Sequence, residues 1–288
     1  MKLATFTYKG STGIGLIHGE DVVDLGRALP HLPKDMAGLL RAGESALAQL
    51  RVLDAGSAVR YPLTAVKLEA PVRPSKILAI GLNYRSHNDE VKSVGIVAPA
   101  QQLWFNKQVS SVNAPFDPIH MPRISKELDY ELELGVVIGK TCRHVNAADA
   151  AQVIAGYTIV NDVSVRDVQL ATPTWTIGKS FDTHCPIGPW LVTADEIPDP
   201  QGLEMKLWVN GELRQHTNTQ LMIHNIRQQI EHLTRAMTLE PGDLLVTGTP
   251  VGVGMGFKPP RYLKTGDMLR LKIEGIGEIS HEVIDEPA

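Results

Sequence analysis

Apolar and polar residues alternate most regularly over residues 129–138. Tyr130, Leu132 and Leu134 interleave with Glu131 and Glu133, and the run then turns apolar through Val136, Val137 and Ile138. Residues two apart share a face of a strand, so the pattern predicts a strand entering a core with two carboxylates side by side on one face. Other short runs predict further strands: Leu3 to Tyr8, Gly13 to His18, Asp21 to Leu25, Ile77 to Gly81, Gly156 to Asp162, Leu244 to Thr247, Met268 to Glu274 and Glu278 to Val283. Leu207 to Glu212 reads as a strand running into an Asn210-Gly211 hairpin turn. Helical spacing is rarer. Met36, Leu39, Leu40, Leu47, Leu50 and Leu53 suit one or two short helices, and Ala147 to Val153 suits another. Thr219 to Arg235 is the clearest helix, with Ile223, Ile226, Ile230 and Leu233 forming its stripe. Residues 91–102 have weak periodicity and read as a mobile loop of the kind that forms lids. Pro62, Pro71 and Pro74 mark a connector. The expected organisation is a small N-terminal α+β unit over residues 1–70 and a larger, mostly β unit over 71–288.

Composition narrows the field. The chain has 288 residues, enough for one large domain or a large and a small one. Its net charge of −4 is spread over both signs, which gives no electrostatic case for nucleic acid or an anionic membrane. No apolar run approaches the roughly 18 residues of a spanning helix. Cys142 and Cys185 form no metal-spaced pair and are too few for a disulfide framework, so reduced thiols in cytoplasm are expected.

Two places concentrate chemistry. Glu131 and Glu133 repel one another where their strand enters a core. Either that face is open to water, or a divalent cation holds both carboxylates ionised. The second place is the polar run Asn83 to Glu90, where His87 and Glu90 at helical spacing face each other. They are either a proton-transfer pair or solvated charges at a helix start. Asp162 suits the cap of the following turn or helix, a common role for Asp. Gly252, Gly254 and Gly256 lack the spacing of a dinucleotide loop, and Pro259 and Pro260 forbid a following helix. No nucleophile elbow is present.

Five segments in order carry a resemblance: Gly81-Leu82-Asn83-Tyr84 with His87 and Glu90; Asp129-Tyr130-Glu131-Leu132-Glu133; Asn161-Asp162 with Arg166-Asp167; Lys179-Ser180-Phe181-Asp182; and Thr247-Gly248-Thr249-Pro250. Over roughly residues 74–285 the chain resembles the fumarylacetoacetate hydrolase superfamily. The resemblance implies an α+β, mostly β fold, a mixed β-sandwich roll, in a homodimer. It places the ligands of Mg²⁺ or Mn²⁺ on Glu131, Glu133 and Asp162, and the catalytic groups on His87, Glu90 and Lys179. It places substrate contacts on Arg166, Thr249, Tyr84 and Gln108. Gln108 stands where many relatives have proline. The implied reaction is hydrolysis of a C–C bond in a 2,4-dioxo acid, through an enolate held at the metal. The alternatives are decarboxylation of oxaloacetate, hydration or dehydration, or isomerisation of a 2-oxo acid at the same centre. Arg261, Lys258 and His184 are further candidates for contact with a distal carboxylate.

Overall fold

The computed structural model describes residues 1–92 and 95–287. Its larger sheet has twelve strands. The hydrogen-bonded path runs Arg60–Pro62, Asp21–Asp24, Ser11–His18, Lys2–Tyr8, Cys185–Thr193, Ile154–Asn161, Leu132–Ile138, Leu244–Val246, Ile77–Gly81 and Leu103–Lys107. The second sheet has five strands, in the order Glu212–Asn218, Glu204–Val209, Met268–Ile273, Gly277–Asp285 and Ile119–Met121. Both sheets are mixed: Leu244–Val246 runs parallel to Ile77–Gly81, and Gly277–Asp285 parallel to Ile119–Met121. The mostly β expectation holds.

Period-two alternation along Leu132–Ile138 divides two cores. Leu132, Leu134, Val136 and Ile138 pack with Met205, Leu207, Leu269 and Leu271 of the second sheet. Val137 faces the other way, with Leu3, Leu191, Val246 and the helix residues Leu39 and Leu50. Tyr130 continues the first set. Glu131 and Glu133 therefore stay on the opposite face, as the alternation requires.

The first 70 residues share the large sheet. Lys2 pairs with Val192 and Leu3 with Leu191, so the N-terminal strands extend it. Helices Met36–Ala42 and Glu44–Arg51 occupy the region where helical spacing predicts them.

Two helical expectations change. The longest helix is Ile226–Ala236, seven residues shorter at its start than the predicted one. Asn225 caps it in a reciprocal box with Gln228, which fixes the start there. Ile223 leaves the apolar stripe because its N–H donates to Asn83 O in the loop before the helix. The helix predicted over 147–153 is a single 3₁₀ turn, Ala150–Val153. Of the loop expected over 91–102, Ser93 and Val94 lie outside the described residues.

The sheet is rolled. Leu103–Lys107 and Ile154–Asn161 are four places apart in the strand order, about 19 Å across a flat sheet. Yet Lys107 Nζ reaches Asp162 Oδ1 at 2.7 Å. Curling thus puts the ends of several strands into one concave region. Glu133 lies near the start of one strand, Asp162 directly follows its antiparallel neighbour, and Gly248-Thr249 follow Leu244–Val246 on the other side. Ile77–Gly81 leads into the helix Arg85–Val91.

Candidate metal centre and active site

Glu131, Glu133 and Asp162 each present a carboxylate oxygen, and these oxygens lie within 4.8 Å of one another. All three residues are buried. Local backbone geometry explains the convergence. Glu131 N–H donates to Asn161 Oδ1 at 3.1 Å, and Asp162 N–H donates to Glu131 O at 2.9 Å. The side chain of Asn161 thus ties the chain just before the site strand to the chain just after its neighbour.

Cations surround part of the cluster. Lys179 Nζ donates to Glu131 Oε2 and Asp162 Oδ2, both at 2.8 Å. Lys107 Nζ donates to Asp162 Oδ1 at 2.7 Å, to Val163 O at 3.1 Å, and also to Lys179 O. Arg166 Nη1 meets Glu131 Oε1 at 2.7 Å. Burial alone would push the Glu131 carboxyl up, but Lys179 and Arg166 hold it below the usual carboxylate range. Glu133 is left without such a partner. Its Oε2 accepts the Gly248 N–H. Burial, then the carboxylates of Asp162 and Glu131, push its carboxyl well up.

The donor set fits a hard divalent cation. It is all oxygen, it is buried, and one of its three carboxyls, that of Glu133, has no side-chain cation paired with it among the described residues. Glu131, Glu133 and Asp162 would hold the ion.

His87 and Glu90 sit on the helix Arg85–Val91, with His87 Nδ1 3.0 Å from Glu90 Oε2. Glu90 Oε1 accepts the Gly252 N–H at 3.0 Å, so the carboxylate is held from both sides. His87, Glu131, Glu133, Arg166, Lys179 and Thr249 line one small cavity, whose room for the centre of a water molecule is about 20 Å³. Apolar walls come from Ile80, Val91, Ile96, Phe105, Trp175 and Met255. Thr249 Oγ1 is fixed by Leu132 O at 3.1 Å and by Gln215 Nε2 at 2.9 Å. Arg166 is anchored by Nε to Asp129 Oδ2 and by Nη1 to Gln169 Oε1, both at 2.9 Å. Its Nη2 is buried and has no hydrogen-bond partner among the described residues.

Two expected substrate contacts fall elsewhere. Tyr84 is fully buried in the core between the sheets, its hydroxyl 3.7 Å from Met205 Sδ. The extended backbone at Tyr84, just before the helix, turns the ring inward while His87 faces the cavity. Gln108 lies one residue past the end of its strand and lines a separate surface groove with His120, Ser180 and Phe181. Of the candidates for a distal carboxylate, Arg261 is paired bidentately with Glu212 at 2.8 Å. His184 is buried, with Nε2 on His120 O at 2.9 Å and its pKa pushed down to about 3 by burial. Neither these two nor Lys258 lines the cavity. Lys107, Asp129, Gln169, Trp175 and Met255 join the site without having been named for it. For Lys107 a signal existed: it sits two residues after Phe105, on the inward register of its strand.

A rolled mixed sheet with a buried, all-oxygen donor set beside a His–Glu pair defines a class of β-roll protein whose site suits a divalent metal. The sequence pattern of the fumarylacetoacetate (FAA) hydrolase C-terminal domain matches residues 76–284. The chain is 43% identical over 268 residues to the mitochondrial oxaloacetate tautomerase Fahd2a of Rattus norvegicus, covering 92% of this chain and 85% of that protein. It superposes on maleylpyruvate hydrolase from Sphingobium sp. SYK-6, solved in complex with manganese(II) and pyruvate, with a TM-score of 0.84. The two are 34% identical and each chain is covered completely. It also superposes on 2-hydroxyhepta-2,4-diene-1,7-dioate isomerase from Mycobacterium marinum, with a TM-score of 0.80, 33% identity and complete coverage of both chains. The chain belongs to the fumarylacetoacetate hydrolase family, whose members are enzymes. Among the described residues no helix is long and apolar enough to cross a membrane.

Proposed function

We propose that this chain moves a proton between carbon and oxygen of a small 2-oxo acid of the oxaloacetate class, a keto–enol tautomerisation, with Mg²⁺ or Mn²⁺ at Glu131, Glu133 and Asp162. The observation that carries this reading is the small cavity lined by His87, Arg166, Glu131 and Glu133, with about 20 Å³ of room, beside an Arg166 Nη2 that is buried without a partner among the described residues. That is space for about one water. A four-carbon acid asks for the least opening of the walls, and tautomerisation needs no space for an attacking water and a departing acyl group. The likeness to an oxaloacetate tautomerase supports the same choice.

When bound, the divalent cation supplies Lewis-acid polarisation of the 2-oxo carbonyl and acidifies the neighbouring C–H. The protein's own groups do the rest. Arg166 Nη2 donates to a substrate carboxylate. Lys179, raised in pKa by Asp162 and Glu131 against the opposing effect of burial, stays protonated and offsets oxyanion charge. His87 Nε2 takes the proton from carbon and returns it to oxygen, while Glu90 fixes the ring through Nδ1 and favours the imidazolium that forms. Phe105, Trp175 and Met255 exclude bulk water.

C–C hydrolysis of an acylpyruvate is the second reading. It is favoured by the maleylpyruvate hydrolase likeness and by the same His–Glu pair, which can activate a water. One experiment separates them. Oxaloacetate enol and a panel of acylpyruvates are offered with Mg²⁺ or Mn²⁺, and again with chelator, in isotopically labelled water. Tautomerisation appears as accelerated, chelator-sensitive loss of the enol's ultraviolet absorbance without bond cleavage. Solvent oxygen in a new carboxylate, with no acceleration of enol loss, refutes the first reading.

A further inference from the structure

The run Gly252-x-Gly254-x-Gly256 matches no nucleotide loop, yet each of its glycines is needed. A Cβ on Gly252 would lie 1.9 Å from Arg214 O, on Gly254 2.7 Å from Asp129 Oδ1, and on Gly256 2.2 Å from Glu90 Oε1. Gly252 also has φ of +108°, which side chains rarely adopt. What these glycines allow is a close approach of backbone to two carboxylates. Gly252 N–H donates to Glu90 Oε1 at 3.0 Å. Gly254 and Met255 N–H donate to Asp129 Oδ1 and Oδ2 at 2.6 and 3.0 Å. Asp129 is fully buried, and its Oδ2 also accepts from Arg166 Nε at 2.9 Å.

We propose that Asp129 is a positioning residue and that the loop 252–256 is the latch through which it acts. On one side its carboxylate docks the loop, which brings Gly252 N–H onto Glu90 and so fixes the His87–Glu90 pair. On the other side it holds Arg166, which in turn steers Glu131 and lines the cavity. The proton-transfer pair and the carboxylate-binding arginine come from different elements, the helix Arg85–Val91 and the segment Arg166–Leu170. Asp129 is the shared point that makes them assemble together. A purely local role, neutralising Arg166, would leave the helix untouched.

The roles given to His87 and Arg166 rest on the oxo-acid reading; the latch does not. The test is therefore hydrogen exchange on the full chain with Mn²⁺ present, followed by kinetics. Asp129→Asn keeps the side chain's shape. It is expected to speed exchange by about tenfold both in the loop and in the helix Arg85–Val91, with which Asp129 shares no hydrogen bond. Gly256→Ala presses first on Glu90, and its effect is expected to spread back to the Gly254 and Met255 amides. It also serves if Asp129→Asn does not fold. Faster exchange confined to the mutated contact in either variant overturns the latch. In turnover, Asp129→Asn is expected to raise KM and lower kcat, and Gly256→Ala to lower kcat alone. An unchanged KM in Asp129→Asn overturns the link to Arg166. If the unmodified protein turns over no oxo acid, the functional reading fails while the exchange result still decides the latch.

Discussion

Replacing Glu133 by glutamine exchanges a buried carboxyl for a neutral group of the same shape, and the surroundings of Glu133 set the outcome. Its Oε2 accepts the Gly248 N–H, and glutamine's carbonyl oxygen can do the same. Glutamine's amide N–H groups would face Asp162 and Glu131, the two carboxylates that push the Glu133 carboxyl up after burial itself. A hydrogen bond to a charged group contributes about 1.5–3 kcal/mol. Without metal, Glu133→Gln is therefore expected to fold at least as stably as the unmodified protein. The pH dependence has a definite sign. A carboxyl whose folded pKa is raised binds a proton that the unfolded chain has released, so stability falls as pH climbs above the ordinary glutamate range. Glutamine removes that slope.

With metal the order reverses. An ion at a hundred times its Kd stabilises the folded chain by about 2.7 kcal/mol, or about 4–5 °C in Tm for a chain of this length. Losing one of three ligands should abolish that increment at the same ion concentration. The assay is thermal unfolding of both proteins over a titration of Mn²⁺, in chelated and loaded samples, at several pH values. A chelated Glu133→Gln protein that melts well below the unmodified one, or a loaded one that retains the full Mn²⁺ shift, would refute the electrostatic account of the cluster.

Three further outcomes follow from the same geometry. Lys107→Met leaves the buried Asp162 Oδ1 and two carbonyls without their donor, and should cost about 3–5 kcal/mol in denaturant unfolding. His87→Ala should keep Mn²⁺ binding by calorimetry while lowering kcat by about 10²–10⁴; retained turnover would remove His87 from the chemistry. Burial pushes both His184 and His281 down to about 3. The unfolded chain then takes up protons first, so each should cost about 1.4 kcal/mol of stability per pH unit as pH falls below about 6.5. Chemical denaturation between neutral and mildly acidic pH measures this slope, and His281→Gln should reduce it.

Much of the fold was legible because its strands obey a two-residue period. Leu132, Leu134 and Val136 meet one core and Val137 the other, and the alternation shows both. The Asn210-Gly211 turn was readable for the same local reason: both residues have positive φ, and the sequence offers the pair that tolerates it. The start of the longest helix was not, because its limit is a competition. Ile223 has the right spacing for the stripe, but Asn83 O takes its N–H and Asn225 offers a cap two residues later. The roll itself was beyond local pattern. Nothing in residues 103–107 says that Lys107 will cross four strand positions to meet Asp162.

The site divides along the same line. Its carboxylates and its histidine were visible because they come close together in sequence: Glu131 and Glu133 two apart, His87 and Glu90 three apart. Of its cations, Lys179 and Arg166 were named through the family's motifs, while Lys107, on a different strand, acquires its meaning only through its partner Asp162. Lys107, Arg166 and Lys179 answer Asp162, Glu131 and Asp129 and leave Glu133 over. That imbalance is the physical argument for a metal. A protein that needed only a stable core could replace Glu133 by an apolar residue and avoid burying an unpaired carboxylate. Keeping it costs stability in the ion-free chain, a cost that a divalent cation at the centre would offset.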